Sequence, residues 1–319
     1  MSEIILERIR GDYFLCRIPG MIVTQTGALV AYYECRSDAS DWAYIDIKII
    51  RSEEGGDSWQ TVDIVKGEKN TLNNPVMIVD GEEIHFLYCK NYKELYYSKS
   101  IDDGKSFSSA ENITYALEAG NFFYNAAAIG PGHGIVHGDN LIVSTWFAYN
   151  ENDPRAHQPS FISTLYSTDH GKTWQLGDVI DGEGLANPSE CCLAASDNGK
   201  VLISIRNENP KKRRAFAKSD TGYSGWSRVY FAETMPDPTC QGSMTTLGGD
   251  IYHINCTSET GRTDLKVKKS RDLFETFDEI FIDDEGGYSD IAIRNGELCI
   301  IYESDIWGKG LLKYKRIKM

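Results

Sequence analysis

The sequence predicts an all-β fold, a six-bladed β-propeller, and three observations carry that prediction. A short pattern recurs five times at near-constant spacing, strand-like runs fill the chain, and no stretch of a dozen residues has a helical apolar period. The pattern is Ser, any residue, an acid, any residue, usually Gly, two more positions, then Trp or Phe. It runs from Ser52 through Glu54 and Gly56 to Trp59, and from Ser100 through Asp102 and Gly104 to Phe107. The cleanest copy has Ser167, Asp169, Gly171 and Trp174. Degraded copies follow at Ser219 and Gly222 with Trp226, and at Ser270 and Asp272 with Phe277. From first Ser to first Ser the steps are 48, 67, 52 and 51 residues. Divided into 319 residues, a step near fifty gives about six units, and a repeat of that length signals a propeller blade of four strands.

Each copy has the chemistry of a turn between two strands. The Asp carboxylate can accept from nearby backbone N–H groups, and Gly supplies the positive φ that a tight turn needs. The aromatic residue gives the turn an apolar plug.

Between these turns lie the strands. Residues 28–35, 44–50, 83–89, 94–98, 140–147, 200–206, 251–255, 297–302 and 311–317 are rich in β-branched and aromatic side chains. The long step after Ser100 contains 130–134 (Gly-Pro-Gly-His-Gly) and the polar stretch 150–160, both expected to be long loops on a propeller face. A ring closes most firmly when its two ends pair, so 311–317 is expected to partner a strand near the N-terminus. The whole of 1–319 is read as one propeller domain.

Composition narrows the function classes. The net charge is −14, from 33 basic and 47 acidic residues, which argues against a nucleic-acid partner. An anionic ligand would have to be met by a local group of arginines. The eight cysteines form no C-x-x-C pair and most sit in apolar runs, so buried free thiols and a reducing compartment are expected. The N-terminal residues are acidic where a signal peptide needs basic then apolar ones, and no run has membrane-spanning length. A cytoplasmic location without a membrane partner is the expectation. The six histidines lack metal-ligand spacing, so neither a metal nor another cofactor is expected.

The fivefold pattern is the Asp-box, and with it the chain resembles the sialidase (neuraminidase) superfamily, in particular the bacterial-type exo-α-sialidases with BNR repeats. Further residues extend the resemblance from Arg17 to Glu303. Arg17-Ile18-Pro19 is similar to the family's Arg-Ile-Pro motif, and Arg206 and Arg262 stand in contexts like those of the second and third members of its arginine triad. Three guanidinium groups on one point need an anion between them, and the planar fork of Arg suits a carboxylate. Sialic acids carry a carboxylate on the anomeric carbon.

The segment 287–290 (Gly-Tyr-Ser-Asp), followed by Glu303, resembles the family segment that carries a nucleophilic Tyr and then a Glu bracing the first arginine. The resemblance thus gives Tyr288 the nucleophile's role and Glu303 the brace. Glu190 matches the Glu that activates the Tyr hydroxyl, although Ser189 replaces the family's Asn before it. The acid/base is expected in 36–42, with Asp41 the better match by its distance from the next strand and Asp38 its rival. Gln241 resembles a loop residue that meets substrate hydroxyls. Asn74 and His133 are read as loop-shaping, and Trp42, Trp146 and Phe147 as either pocket or core. The implied activity is retaining hydrolysis of terminal α-linked sialic acid from a glycan substrate through a tyrosyl-enzyme intermediate. The alternatives are an enzyme acting on another 2-keto sugar acid or transferring the sugar, and a propeller that binds acidic glycans without turnover.

Overall fold

The computed structural model describes residues 3–7, 13–197, 199–305 and 310–319. Among them six small sheets form the blades of a propeller. Blade 1 is Leu15–Val23, Leu29–Arg36, Ile45–Ser52 and Gln60–Val65, in that spatial order. Blades 4 and 5 repeat it with strands from Cys191–Ala195 to Tyr230–Pro236 and from Ser243–Leu247 to Asp278–Glu285. In blade 6, Ser289–Arg294, Glu297–Ser304 and Leu311–Lys318 are joined by Glu3–Glu7, which pairs antiparallel with Leu311–Lys318. The expected closure of the ring by its two ends is therefore present. The described residues contain one four-residue helix, Tyr115–Glu118.

Strand alternation glues the blades together. Successive residues of Leu29–Arg36 point to opposite faces, and all eight are buried. Leu29, Ala31 and Tyr33 pack with Ile301, Leu312 and Tyr314 of blade 6, whereas Val30 and Tyr32 pack with Met77 and Phe86 of blade 2, which includes Leu72–Asp80, Glu83–Lys90 and Glu94–Ser100. Each fully buried side chain of this size contributes about 1.5–3 kcal/mol. Glu34 and Arg36 share the Tyr32 face, which sets two charges side by side inside the protein.

The Asp-box turns have the hydrogen bonds their chemistry demands. In the third copy Gly171 N–H donates to Ser167 Oγ (2.8 Å), and Thr173 N–H and Oγ1 donate to the two Asp169 oxygens at 2.8 and 2.7 Å. The glycine position has φ of 94°, 76°, 79° and 81° in the first four copies. In the fifth, Phe274 occupies it at φ 68°. Burial of its ring between the turn and Phe216, 5.3 Å away, compensates the strain of a side chain there. The Thr276 hydroxyl and amide, with the Ser270 hydroxyl, hold the Asp272 carboxyl down at about 2.

One expectation fails. Residues 130–134 are not a free loop: Gly132–His133 pairs in parallel with Leu72–Asp80 of blade 2, and Ile135–His137 pairs with Asn140–Ala148 of blade 3. The chain here steps between blades at the ring's centre. A Cβ on Gly134 would meet Val143 at 2.7 Å and the Ile142 carbonyl at 2.8 Å, so the crossing needs glycine.

The crossing brings His133 to the Asp290 carboxylate, which is fully buried where inner strands converge. Asp290 accepts from Met21 N–H of blade 1 (2.9 Å), Ser243 Oγ of blade 5 (2.5 Å) and Ile291 N–H of its own blade (2.9 Å). His133 Nδ1 lies 2.8 Å away. Removing such a carboxylate strands several buried donors. Asp290→Ala is expected to lower the unfolding free energy by about 3–5 kcal/mol, read from urea denaturation. A loss under about 1 kcal/mol would mean that water takes over the donors and that the ring does not depend on them.

Candidate active site

The site begins with a break in a strand. Between Arg17 and Gly20 the ladder of Leu15–Val23 shifts register, with Ile18 at φ 57° and Pro19 lacking an N–H. The bulge frees Ile18 N–H to donate to Glu303 Oε1 at 2.9 Å. Arg17 turns the same way, its Nε and Nη2 donating to the two Glu303 oxygens at 3.0 and 3.3 Å. Gly20 completes the motif, because a Cβ there would lie 2.2 Å from the Tyr32 ring.

Glu303 also accepts from Tyr288 N–H at 3.1 Å. Burial opposes its charge, but Arg17 and Arg262 outweigh that and hold its pKa below the ordinary value. One buried carboxylate thus fixes both the first arginine and the backbone of Tyr288.

The Tyr288 hydroxyl points at Glu190. It donates to Glu190 Oε2 at 2.5 Å and accepts from Arg206 Nη1 at 2.8 Å, while Arg206 also pairs with Glu190. Arg17 and Arg262 lie over the Tyr288 ring, their Cζ atoms 5.1 and 5.2 Å from its centroid. Burial pushes the phenol pKa up; Arg206 opposes, Glu190 adds to the rise, and Arg262 and Arg17 oppose again. A phenol whose proton already faces a carboxylate, ringed by three cations, is arranged to pass that proton to Glu190, with the cations offsetting the negative charge that develops on its oxygen.

Arg17 pairs with Glu303 and Arg206 with Glu190, but Arg262 forms no ion pair among the described residues. An exogenous carboxylate would meet its guanidinium directly.

Asp41 and Asp38 separate clearly in space. Asp41 lines the pocket with Arg17, Arg206, Arg262 and Tyr288, and its carboxylate accepts from Arg36 Nη1 at 2.7 Å and lies 3.9 Å from Arg17 Nη1. Burial raises its pKa, yet Arg36 and Arg17 bring the net value below the ordinary one. Asp38 is exposed and shapes a turn, accepting from Ser40 N–H at 2.7 Å.

Gln241 departs from expectation. It is fully buried outside the pocket lining, and its Oε1 accepts from Ser289 N–H at 3.0 Å. It braces the strand after Tyr288. Trp146 does line the pocket, whereas Trp42 packs on Tyr92 at 4.8 Å and Phe147 faces a separate aromatic cluster. Asn74 lines the pocket from within a strand, and its N–H donates to Glu34 at 2.9 Å.

Sequence reasoning missed Arg36, Tyr92, His157 and Glu208, all in the lining. For Arg36 a signal existed: Glu34 and Arg36 are two charges at the end of an apolar strand run. Arg36 donates to Glu34 at 2.8 and 2.6 Å, so Glu34 anchors Arg36 as Glu303 anchors Arg17. The described residues contain no group of His, Cys, Asp and Glu able to hold a metal.

Residues 27–300 match the BNR repeat-like domain family. A Bacteroides fragilis sialidase is 24% identical over 91% of this chain and 60% of its own length. The Hadza microbial sialidase Hz136 has the same fold at a TM-score of 0.83 and 21% identity, with 97% of this chain and 66% of that one covered. A Trypanosoma rangeli sialidase solved with 2,3-difluorosialic acid as a covalent intermediate gives 0.76 at 18% identity, covering 95% and 54%. The chain thus spans less than two thirds of the length of these relatives.

The geometry makes Arg262 the arginine most open to an incoming anion. Arg262→Ala is expected to weaken a cyclic 2-keto sugar acid by one to two orders of magnitude and leave its neutral methyl ester almost unaffected, by calorimetry. Equal losses for acid and ester would mean that the guanidinium does not meet the carboxylate.

Proposed function

The chain belongs to the BNR repeat-like domain family, and on that premise we propose that it is a retaining exo-α-sialidase. The observation that carries the proposal is the Tyr288 hydroxyl, 2.5 Å from Glu190 and 2.8 Å from Arg206, beneath Arg17 and Arg262. The substrate is a terminal α-linked sialic acid, whose carboxylate sits among Arg17, Arg206 and Arg262. Tyr288 attacks the anomeric carbon as Glu190 takes the phenol proton, and the bond to the leaving oxygen breaks as Asp41 protonates it. Water, deprotonated by Asp41, then releases the sugar from Tyr288.

A phenol suits this carbon. A carboxylate nucleophile would approach a centre already bearing a negative carboxylate, and sialidases are the Tyr-nucleophile exception among glycosidases. The solved covalent intermediate of the Trypanosoma rangeli relative supports retention. Binding without turnover would need the arginines alone; the Tyr288–Glu190 contact and the placing of Asp41 favour catalysis.

Tyr288→Phe removes only the oxygen. Turnover of sialyllactose is expected to fall by about three orders of magnitude or more while folding and carboxylate binding persist. Near-normal turnover in the folded variant would remove Tyr288 from the mechanism.

A general acid matters most for a basic leaving group. Asp41→Ala is expected to damage cleavage of sialyllactose far more than cleavage of an aryl sialoside with an acidic phenol, and Asp38→Ala to affect both mildly and alike. The reverse pattern would hand the proton to Asp38.

A further inference from the structure

Asp41 stands on the loop that joins Leu29–Arg36 to Ile45–Ser52 in blade 1. Residues 37–40 of that loop are exposed. Two of its hydrogen bonds, Ser40 N–H to Asp38 at 2.7 Å and Trp42 N–H to Ser40 Oγ at 3.0 Å, stay within the loop. The Asp41 side chain is 47% exposed even though Arg36 donates to it. A single ion pair with a half-exposed partner fixes little by itself.

The anchor lies on the other side of Asp41. The Trp42 ring packs into a cup that two other blades provide. Its centroid is 4.8 Å from that of Tyr92, in blade 2, and 6.0 Å from that of His157, in blade 3. Trp146 of blade 3 joins the cluster, 6.1 Å from Tyr92 and 5.2 Å from His157. Arg155 adds a cation over the Trp42 ring, its Cζ 5.7 Å from the centroid. Just beyond, the Ala43 carbonyl accepts from the buried Thr71 hydroxyl at 2.6 Å.

The cup is fixed without help from Trp42. Tyr92 and Trp146 are almost completely buried. The segment carrying His157 is pinned by the buried Asn125, whose Nδ2 donates to the Ala156 carbonyl at 2.7 Å. Asn125 Oδ1 accepts from Asn150 N–H at 2.6 Å. Aromatic pairs prefer particular offsets and tilts, so a rigid cup sets the angle of the ring it holds. The residue next to that ring is Asp41.

We propose that Trp42 is a positioning residue for proton donation: lodged against Tyr92 and His157, it holds Asp41 where the leaving oxygen is protonated. This role rests on the reading of Asp41 as the general acid. Blades 2 and 3 thereby place a residue of blade 1. Without the ring, Asp41 keeps its attraction to Arg36 but loses its fixed place, and a shift of about 1 Å can cost about a hundredfold in rate. The contacts that hold Arg17, Arg206 and Tyr288 do not pass through Trp42.

The test compares kcat/KM for sialyllactose and for an aryl sialoside with an acidic phenol. That parameter covers the steps up to departure of the leaving group, so the later attack of water does not enter it. Trp42→Ala is expected to lose about ten- to a hundredfold on sialyllactose and less than about threefold on the aryl sialoside. Binding of 2-deoxy-2,3-didehydro-N-acetylneuraminic acid should stay within about twofold by calorimetry. Trp42→Phe, which keeps a ring for the cup, should recover most of the activity on sialyllactose. In an Asp41→Ala background Trp42→Ala should add no further loss, because the acid through which it acts is gone.

Equal losses on both substrates, or a matching loss of inhibitor affinity, would overturn the proposal. So would an unimpaired Trp42→Ala, a Phe variant no better than Ala, or a further loss in the Asp41→Ala background. If urea denaturation shows that Trp42→Ala does not fold, Trp42→Leu takes its place in the same comparisons. An Asp41→Ala variant that treats both substrates alike would remove the acid assignment and this role with it. A wild type that cleaves neither sialoside would instead remove the sialidase reading.

Discussion

The Asp290 carboxylate at the centre of the ring is the constraint on which the rest of the molecule depends. Three strands from other blades converge on it, and each brings a donor beside the N–H of Ile291 in its own strand, all removed from water by burial. A propeller's blades are otherwise held by apolar layers, which resist separation but slide easily because the hydrophobic effect has no direction. Hydrogen bonds to one charge do have direction. They fix the rotation of blades 1, 5 and 6 about the axis, and Tyr288 lies two residues before the hub. The Tyr288 hydroxyl inherits its position from a buried carboxylate outside the pocket lining.

A similar economy governs the charges of the pocket. Arg17 and Arg36 each have an almost completely buried acid, Glu303 and Glu34, and each acid also accepts a backbone N–H from another strand. Breaking either pair would leave a buried charge alone, at a cost of about 3–5 kcal/mol. The arginines are therefore held in one rotamer before any ligand arrives, and little ordering entropy remains to be lost on binding. The bulge at Ile18 and Pro19 belongs to the same device, since only an interrupted ladder releases the N–H that Glu303 needs.

Much of this could be read from the sequence, for a physical reason. Asp-box turns are local: Ser167, Asp169 and Thr173 satisfy one another within seven residues, so their spacing carries the geometry. The strand runs are equally local in their alternation, and Arg17, Arg206, Arg262, Glu190 and Tyr288 were legible as types in a family order. The links between them were not, because Arg17 and Glu303 are 286 residues apart and Tyr288 and Glu190 are 98 apart. The place of Gln241 was hidden for that reason, its partner being the backbone of Ser289 in the next blade. The segment 130–134 looked like a loop because its pairing is parallel, short and glycine-rich, without the alternation that marks a strand.

In the proposed mechanism the position of Asp41 links carboxylate binding to proton donation. Burial opposes the charge of Asp41, but Arg36 and Arg17 outweigh it and favour the ionised form. Arg17 Nη1 lies 3.9 Å from Asp41, and Arg17 is one of the three cations proposed to receive the substrate's carboxylate. A carboxylate bound there cancels part of the positive field at Asp41 and adds a negative charge close by, and both effects raise its pKa. Under the proposed mechanism the proton would then be held more firmly with a substrate in place than without one. Arg36 opposes this throughout, since its pairing with Glu34 keeps its charge at a fixed distance from Asp41. In the proposed reaction Asp41 is thus set between a constant cation and one whose charge a bound carboxylate would offset.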